Sequence, residues 1–213
     1  MDGESLRQIL SVSEFLGLAR KFSAIEGWIS DIEGYVLYRL ARDGEGEGAI
    51  VEIGSWMGKS TAWLAAGSMA RSREPVHAVD TFEGSPEHQD TAVLREEGTT
   101  YHRFTENLES VGVFQHVVPV VAASLKAAAD WDARPIRLLF IDGDHSYKAA
   151  RADLDAWLPY VAPGGYVVFD DVIDAFPGVQ RVVVDATSEA GSLKRLLGVA
   201  KIWVTRKKAG APE

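Results

Sequence analysis

The chain has 213 residues, 46% hydrophobic and 25% charged, enough to build the core of one globular domain. Its net charge of −9, from 22 basic and 31 acidic residues, argues against a nucleic-acid groove or an anionic membrane surface and makes a small molecule the expected ligand. Cysteine is absent, which excludes disulfides and thiolate metal sites, and no apolar run approaches the ~20 residues of a membrane helix.

The start, Met1-Asp2-Gly3-Glu4, lacks the basic and apolar regions of a signal peptide, so a cytoplasmic protein is expected. Residues 5–21 read as an amphipathic helix, with Leu6, Ile9, Leu10, Phe15, Leu16, Leu18 and Ala19 on one side. Ser30 and Glu33 form a capping box, and the helix it opens carries Ile32, Val36, Leu37 and Leu40 before ending at Asp43-Gly44. These N-terminal helices offer a surface for a homodimer. Residues 44–48 are a flexible connector rather than a domain boundary, so 1–213 is expected to be one domain: an N-terminal helical extension over 1–44 and a core over 45–206.

From Ala49 strands and helices alternate. Strands are expected at 49–53, 75–80, 116–121, 136–141 and 165–170, with helices from Lys59-Ser60 and at 101–111, 124–131 and 146–158. Pro119 marks the third strand as an edge, and Pro163-Gly164-Gly165 as a turn that restarts the fifth. This alternation gives an α/β fold with a parallel sheet covered on both faces. A helix near 178–189 and two strands at 193–197 and 201–206, joined by a short turn, predict an antiparallel end to that sheet. Residues 207–213 are expected to fray, and residues 81–100, polar and unperiodic, read as a lid loop or a surface excursion.

The chemistry concentrates at three places. Gly54-Ser55-Trp56-Met57-Gly58, between a strand and a helix, is a ligand-binding loop of the kind found at the mouth of α/β sheets. It lacks the middle glycine of a dinucleotide fingerprint, and Gly54-x-x-x-Gly58-Lys59-Ser60 is one residue short of a phosphate-binding loop. Glu52, at its entrance, repels polyanions and suits a cation. Asp80, ending the second strand, is placed to accept hydrogen bonds from ribose hydroxyls, although a turn aspartate has the same signature. The strongest signal pairs Asp142-Gly143-Asp144-His145 with Asp170-Asp171. If their strands are neighbours, carboxylates meet at one rim and call for a cation between them, with Mg²⁺ preferred over Mn²⁺ or Ca²⁺. His145 is a candidate general base, with Asp144 orienting it or touching a cofactor. His77 reads as structural, His116 as a surface residue at a strand start, and His88 and His102 as lying in or beside the lid. Phe82, Tyr101, Phe104, Tyr147 and Trp157 are either pocket-lining or core.

Taken together, VEIGSWMGKST, HAVDTF, FIDGDHSY and the Pro-Gly-Gly strand ending in FDDV resemble class I S-adenosylmethionine-dependent methyltransferases over about residues 50–172. More narrowly they resemble metal-dependent small-molecule O-methyltransferases of the macrocin type. The resemblance implies a Rossmann-like seven-stranded mixed sheet in the order 3-2-1-4-5-7-6. It implies S-adenosylmethionine around Glu52, Gly54 and Ser55 at the methionine end, Asp80 with Thr81 at the ribose, and Ser124 near the adenine, with Asp142 also beside the cofactor. Asp142, Asp170 and Asp171 would hold Mg²⁺, and His145 would deprotonate a hydroxyl of a small-molecule acceptor such as a natural-product sugar or a catechol-like group. The alternatives are a nucleotide hydrolase using the Gly-Lys-Ser loop, a cephalosporin-hydroxylase-like relative that transfers no methyl, and a non-catalytic binding module.

Overall fold

The computed structural model describes residues 3–85 and 90–210. Seven strands, β1 (Ala49–Ile53), β2 (Val76–Asp80), β3 (Val117–Val121), β4 (Ile136–Ile141), β5 (Val161–Phe169), β6 (Leu193–Val199) and β7 (Ile202–Lys207), form one sheet in the order β3-β2-β1-β4-β5-β7-β6. The first five are parallel; β7 runs antiparallel to both β5 and β6. This is the expected mixed order, with Pro119 on the edge strand β3, where a missing N–H breaks no ladder.

Every residue of β1 is buried, and its side chains alternate between two cores. Ile50 faces the layer of α1 (Gly3–Phe22), α2 (Asp31–Asp43), α3 (Lys59–Met69) and α5 (Tyr101–Ser110). Ala49, Val51 and Ile53 face α6 (Ser124–Ala129), α7 (Tyr147–Trp157) and α8 (Pro177–Thr187). In the first layer α2 lies directly on α3: a Cβ on Gly34 would sit 2.3 Å from the Trp63 indole nitrogen, so only glycine permits that approach. Arg137, fully buried in β4, ties the layer to the sheet by pairing with Glu74 and donating to the Leu40 and Ala41 carbonyls at the end of α2 (3.1 and 2.5 Å).

Several expectations change. The Pro163-Gly164-Gly165 stretch is not a turn before the strand; β5 begins at Val161, and the three residues form a bulge as the pairing moves from Val161–Ile136 to Tyr166–Leu138. Residues 81–100 contain the helix α4 (Ala92–Glu97), too short to show a period, which buries Leu94. Leu16 and Ile32, placed by periodicity on inner faces, are exposed, whereas Phe15, Leu18 and Leu37 do pack inward. Leu6, Ile9 and Leu10 carry side chains outside the described residues. Lys207 belongs to β7 rather than a frayed tail, its buried ammonium donating to the Leu158 and Val161 carbonyls (3.0 and 2.9 Å).

Candidate active site

A cavity of about 920 Å³ opens at the C-terminal ends of β1, β2, β4 and β5, the end at which parallel α/β sheets bind ligands. Its walls include Gly54, Ser55, Asp80, Thr81, Ser124, Asp142, His145, Asp170 and Asp171. These come from segments that the sheet order makes neighbours. The Asp142 N–H donates to the Ile53 carbonyl (2.8 Å) and the Asp170 N–H to Ile141 (3.0 Å), so both aspartates continue the strand ladder by one rung.

The loop after β1 is held by carboxylates rather than open to them. Gly54 has φ +83, and a Cβ there would meet the Asp142 carbonyl oxygen at 1.9 Å. Asp80 Oδ2 accepts the N–H groups of Ser55 and Trp56 (2.7 and 2.8 Å), while Oδ1 accepts that of Phe82 (2.7 Å). The Ser55 and Trp56 amides, which a phosphate in this loop would need, are therefore taken, which disfavours the nucleotide hydrolase. Three of the four acceptor positions of Asp80, which lines the cavity, are filled, leaving one. Glu52 sits behind the loop, fully buried, and accepts hydrogen bonds from Ser55 and Thr61 (2.9 and 2.5 Å). Burial pushes its carboxyl up to about 7, although the hydroxyls of Ser60, Thr61 and Ser55 oppose the rise. Glu52 is placed to fix the loop.

At the opposite wall Asp142, His145, Asp170 and Asp171 all line the cavity, but the group close enough to share an ion is Asp142, His145 and Asp171 rather than the three aspartates. One donor atom each from Asp142, His145 and Asp171 lies within 4.8 Å of the others. The His145 imidazole meets Asp171 through Nε2 (2.9 Å to Oδ2) and packs at a tilt against Phe176, with ring centres 4.0 Å apart. Asp171 has φ 54, a left-handed conformation rare for aspartate, and this twist lets two consecutive side chains face one rim. The missing partner in the sequence reading is Lys201, at the turn between β6 and β7. Its ammonium contacts Asp170 Oδ2 and lies 3.0 Å from Asp171 Oδ1. Burial raises Asp142 well above the usual carboxylate range, Asp170 raises it further, and Lys201 opposes both. Asp170 is raised by burial, with Lys201 opposing. Burial would raise Asp171 too, but the His145 hydrogen bond and the Lys201 charge outweigh it and hold it low.

Asp170 Oδ1 is buried and accepts no hydrogen bond. Three carboxylates beside an imidazole, with one buried oxygen still unused, fit a hard divalent cation. Asp144 accepts the N–H of Ser146 (2.8 Å), the residue that caps α7, and its side of the cavity continues to Ser124. Ser124 accepts from Trp157 Nε1 (3.0 Å) and lies beside Asp153, a buried carboxylate on the cavity wall that sequence reasoning missed; burial raises the Asp153 carboxyl and Ser124 opposes the rise. Its signal was present: Asp153 is the one acid on the inner face of α7, among Ala150, Leu154 and Trp157.

Of the two readings open for the aromatics, core holds for three of the five. Phe82, Phe104 and Trp157 are fully buried in the cores; Trp28, Trp56 and Phe176 line the cavity instead. Trp28, 58% exposed, packs on Trp56 with ring centres 5.4 Å apart. His77 is structural, packed on Trp131; His102 is an exposed residue of α5; His116 is half-buried against Ser68 (3.2 Å); His88 lies outside the described residues.

The sheet order and a ligand cavity at its switch point define the class I methyltransferase fold. The family model described as "Methyltransferase domain" matches residues 51–172, and the chain belongs to that family. It is 31% identical over 125 residues to the catechol O-methyltransferase of Mycobacterium tuberculosis, covering 58% of this chain and 48% of that protein. The chain spans less than half the length of the curated relatives it matches. Among solved structures, the O-methyltransferase TomG of Streptomyces achromogenes, in complex with S-adenosylmethionine, superimposes with a TM-score of 0.64 at 19% identity, covering 94% of this chain and 90% of TomG. The Bacillus cereus O-methyltransferase, in complex with S-adenosylhomocysteine, gives 0.63 at 22% identity, with 93% and 90% covered. Likeness at that identity establishes the shared fold.

Proposed function

We propose that this chain transfers the methyl group of S-adenosylmethionine to a hydroxyl oxygen of a small molecule. One observation carries the reading: Asp142, His145, Asp170 and Asp171 share one rim of a cavity whose far walls carry Asp80, Thr81 and Ser124. The named activity of the mycobacterial relative supports the same class of reaction. Gly54 and Ser55 border the methionine end, with Glu52 fixing their loop from behind. The free acceptor position of Asp80, with Thr81 beside it, suits the ribose, and Ser124 with Asp153 suits the adenine.

Asp142, Asp170 and Asp171 would hold a divalent ion, Mg²⁺ by preference, which when bound supplies Lewis acidity to an acceptor hydroxyl. The chain's own residues do the rest. His145, held against Asp171 through Nε2, takes the hydroxyl proton. The acceptor oxygen then attacks the sulfonium methyl; the O–CH₃ bond forms as the S–CH₃ bond breaks, leaving a neutral thioether. The cavity walls hold oxygen and methyl in line, a contribution that reaches ~7–11 kcal/mol in favourable cases. Trp28, Trp56 and Phe176 give the acceptor side flat apolar surfaces. The test is transfer of label from [methyl-¹⁴C]S-adenosylmethionine to a panel of catechols, phenols and glycosides, with and without EDTA. Labelled ether sensitive to EDTA is expected. Cofactor binding with no transfer to any hydroxyl would favour the non-methylating relative or the binding module.

A further inference from the structure

Lys201 is not a loose surface lysine. The residue before it, Ala200, has φ 47, which closes the β6–β7 turn tightly. The Lys201 N–H donates to the buried carboxylate of Glu33 (2.8 Å), and its carbonyl accepts the Val172 N–H (2.9 Å). Glu33 is itself fixed by the capping box at Ser30, whose N–H donates to its other oxygen (2.8 Å). The turn is thus anchored to α2 on one side and to the chain just past Asp171 on the other. The side chain, only 17% exposed, points its ammonium between Asp170 and Asp171.

Those are two of the three carboxylates that would bind a divalent ion. An ion within coordination distance of the same oxygens, ~2.0–2.6 Å, would bring two positive centres within about 5 Å of each other in a largely buried place. The ammonium and the ion cannot both keep their best contacts. We propose that Lys201 is a tethered cation that holds the rim together without a divalent ion and competes with that ion for Asp170 and Asp171. The inference rests on the reading of this rim as an ion site. It makes ion affinity a property set by a residue at the tip of a hairpin, and it keeps the carboxylates assembled when divalent ions are scarce.

The test uses the full chain and Mn²⁺, followed by calorimetry and by loss of the free-ion EPR signal. Lys201→Met should bind Mn²⁺ roughly tenfold or more tightly than the wild type. Lys201→Arg, which keeps the charge, should stay within about threefold of it. Equal affinity in the Met variant and the wild type overturns the competition while leaving the ion site standing. Failure of every protein to bind Mn²⁺ saturably overturns the ion site itself, and the competition with it. Should Lys201→Met not fold, the wild type decides. Reductive methylation mapped by mass spectrometry should modify Lys201 several-fold faster with saturating Mg²⁺ than without, and an unchanged rate with Mg²⁺ bound overturns the proposal.

Discussion

Glu52 offers the sharpest quantitative consequence of the fold. Its carboxyl is fully buried, and its rise from the ordinary 4.5 to about 7 has burial as the main cause. A folded state that holds this proton more tightly than the unfolded chain loses stability as pH rises between those two values. At 1.36 kcal/mol per tenfold change in proton affinity, the loss from Glu52 is about 3 kcal/mol between pH 4.5 and pH 7.5. Glu52→Gln keeps the shape and an acceptor oxygen for Ser55 and Thr61 but cannot ionise. Urea unfolding of both proteins from pH 4.5 to 8 isolates the effect of this one carboxyl, because every other titrating group is common to the pair. The difference should be within ~1 kcal/mol at the acid end and should move by about 3 kcal/mol in favour of the Gln variant by pH 8. A difference that stays flat across this range would refute the assignment of a proton-holding carboxyl under the loop.

Other outcomes follow from the same geometry. Arg137→Ala leaves Glu74 and the α2 carbonyls without their partner; it should cost about 3 kcal/mol in urea unfolding, while cofactor affinity of the folded protein holds. Asp153→Ala removes a buried acceptor beside Ser124 and should weaken S-adenosylhomocysteine binding by calorimetry roughly tenfold, with little effect on acceptor KM. Trp28→Ala opens the cavity mouth and should raise the acceptor KM about tenfold with an unchanged cofactor Kd. Asp171→Asn weakens the contact that holds His145 through Nε2 and should lower kcat about a hundredfold or more in the methyl-transfer assay.

How much of this was written in the sequence differs from place to place. The sheet was legible because β1 and β4 are short, wholly buried runs, and because two strands joined by so tight a turn must pair antiparallel. The rim was legible because Asp142 and Asp170-Asp171 each follow a strand, and adjacent strands bring such ends together. Lys201 was not, since its contacts with the aspartates span 30 and 31 residues and depend on where a hairpin tip lands. Nor was the role of Asp80: an acid at a strand end looks the same whether it awaits a ribose or grips the amides of Ser55 and Trp56. The aromatic wall went unread because exposure of Trp28 is decided by how the segment between α1 and α2 crosses the cavity, while spacing within helices put Phe104 and Trp157 in the core.

The central claim is that the cavity at the ends of β1, β2 and β4 is shaped for a methyl donor with a ribose and an adenine, and that Asp80, not a phosphate, takes the Ser55 and Trp56 amides of its loop. Calorimetric titration of the intact chain with S-adenosylhomocysteine and, separately, with ATP–Mg²⁺ tests it most directly. The account predicts saturable one-to-one binding of the first, reduced by Asp80→Ala, and no saturable binding of the second. Tight ATP binding with no heat from S-adenosylhomocysteine would contradict it.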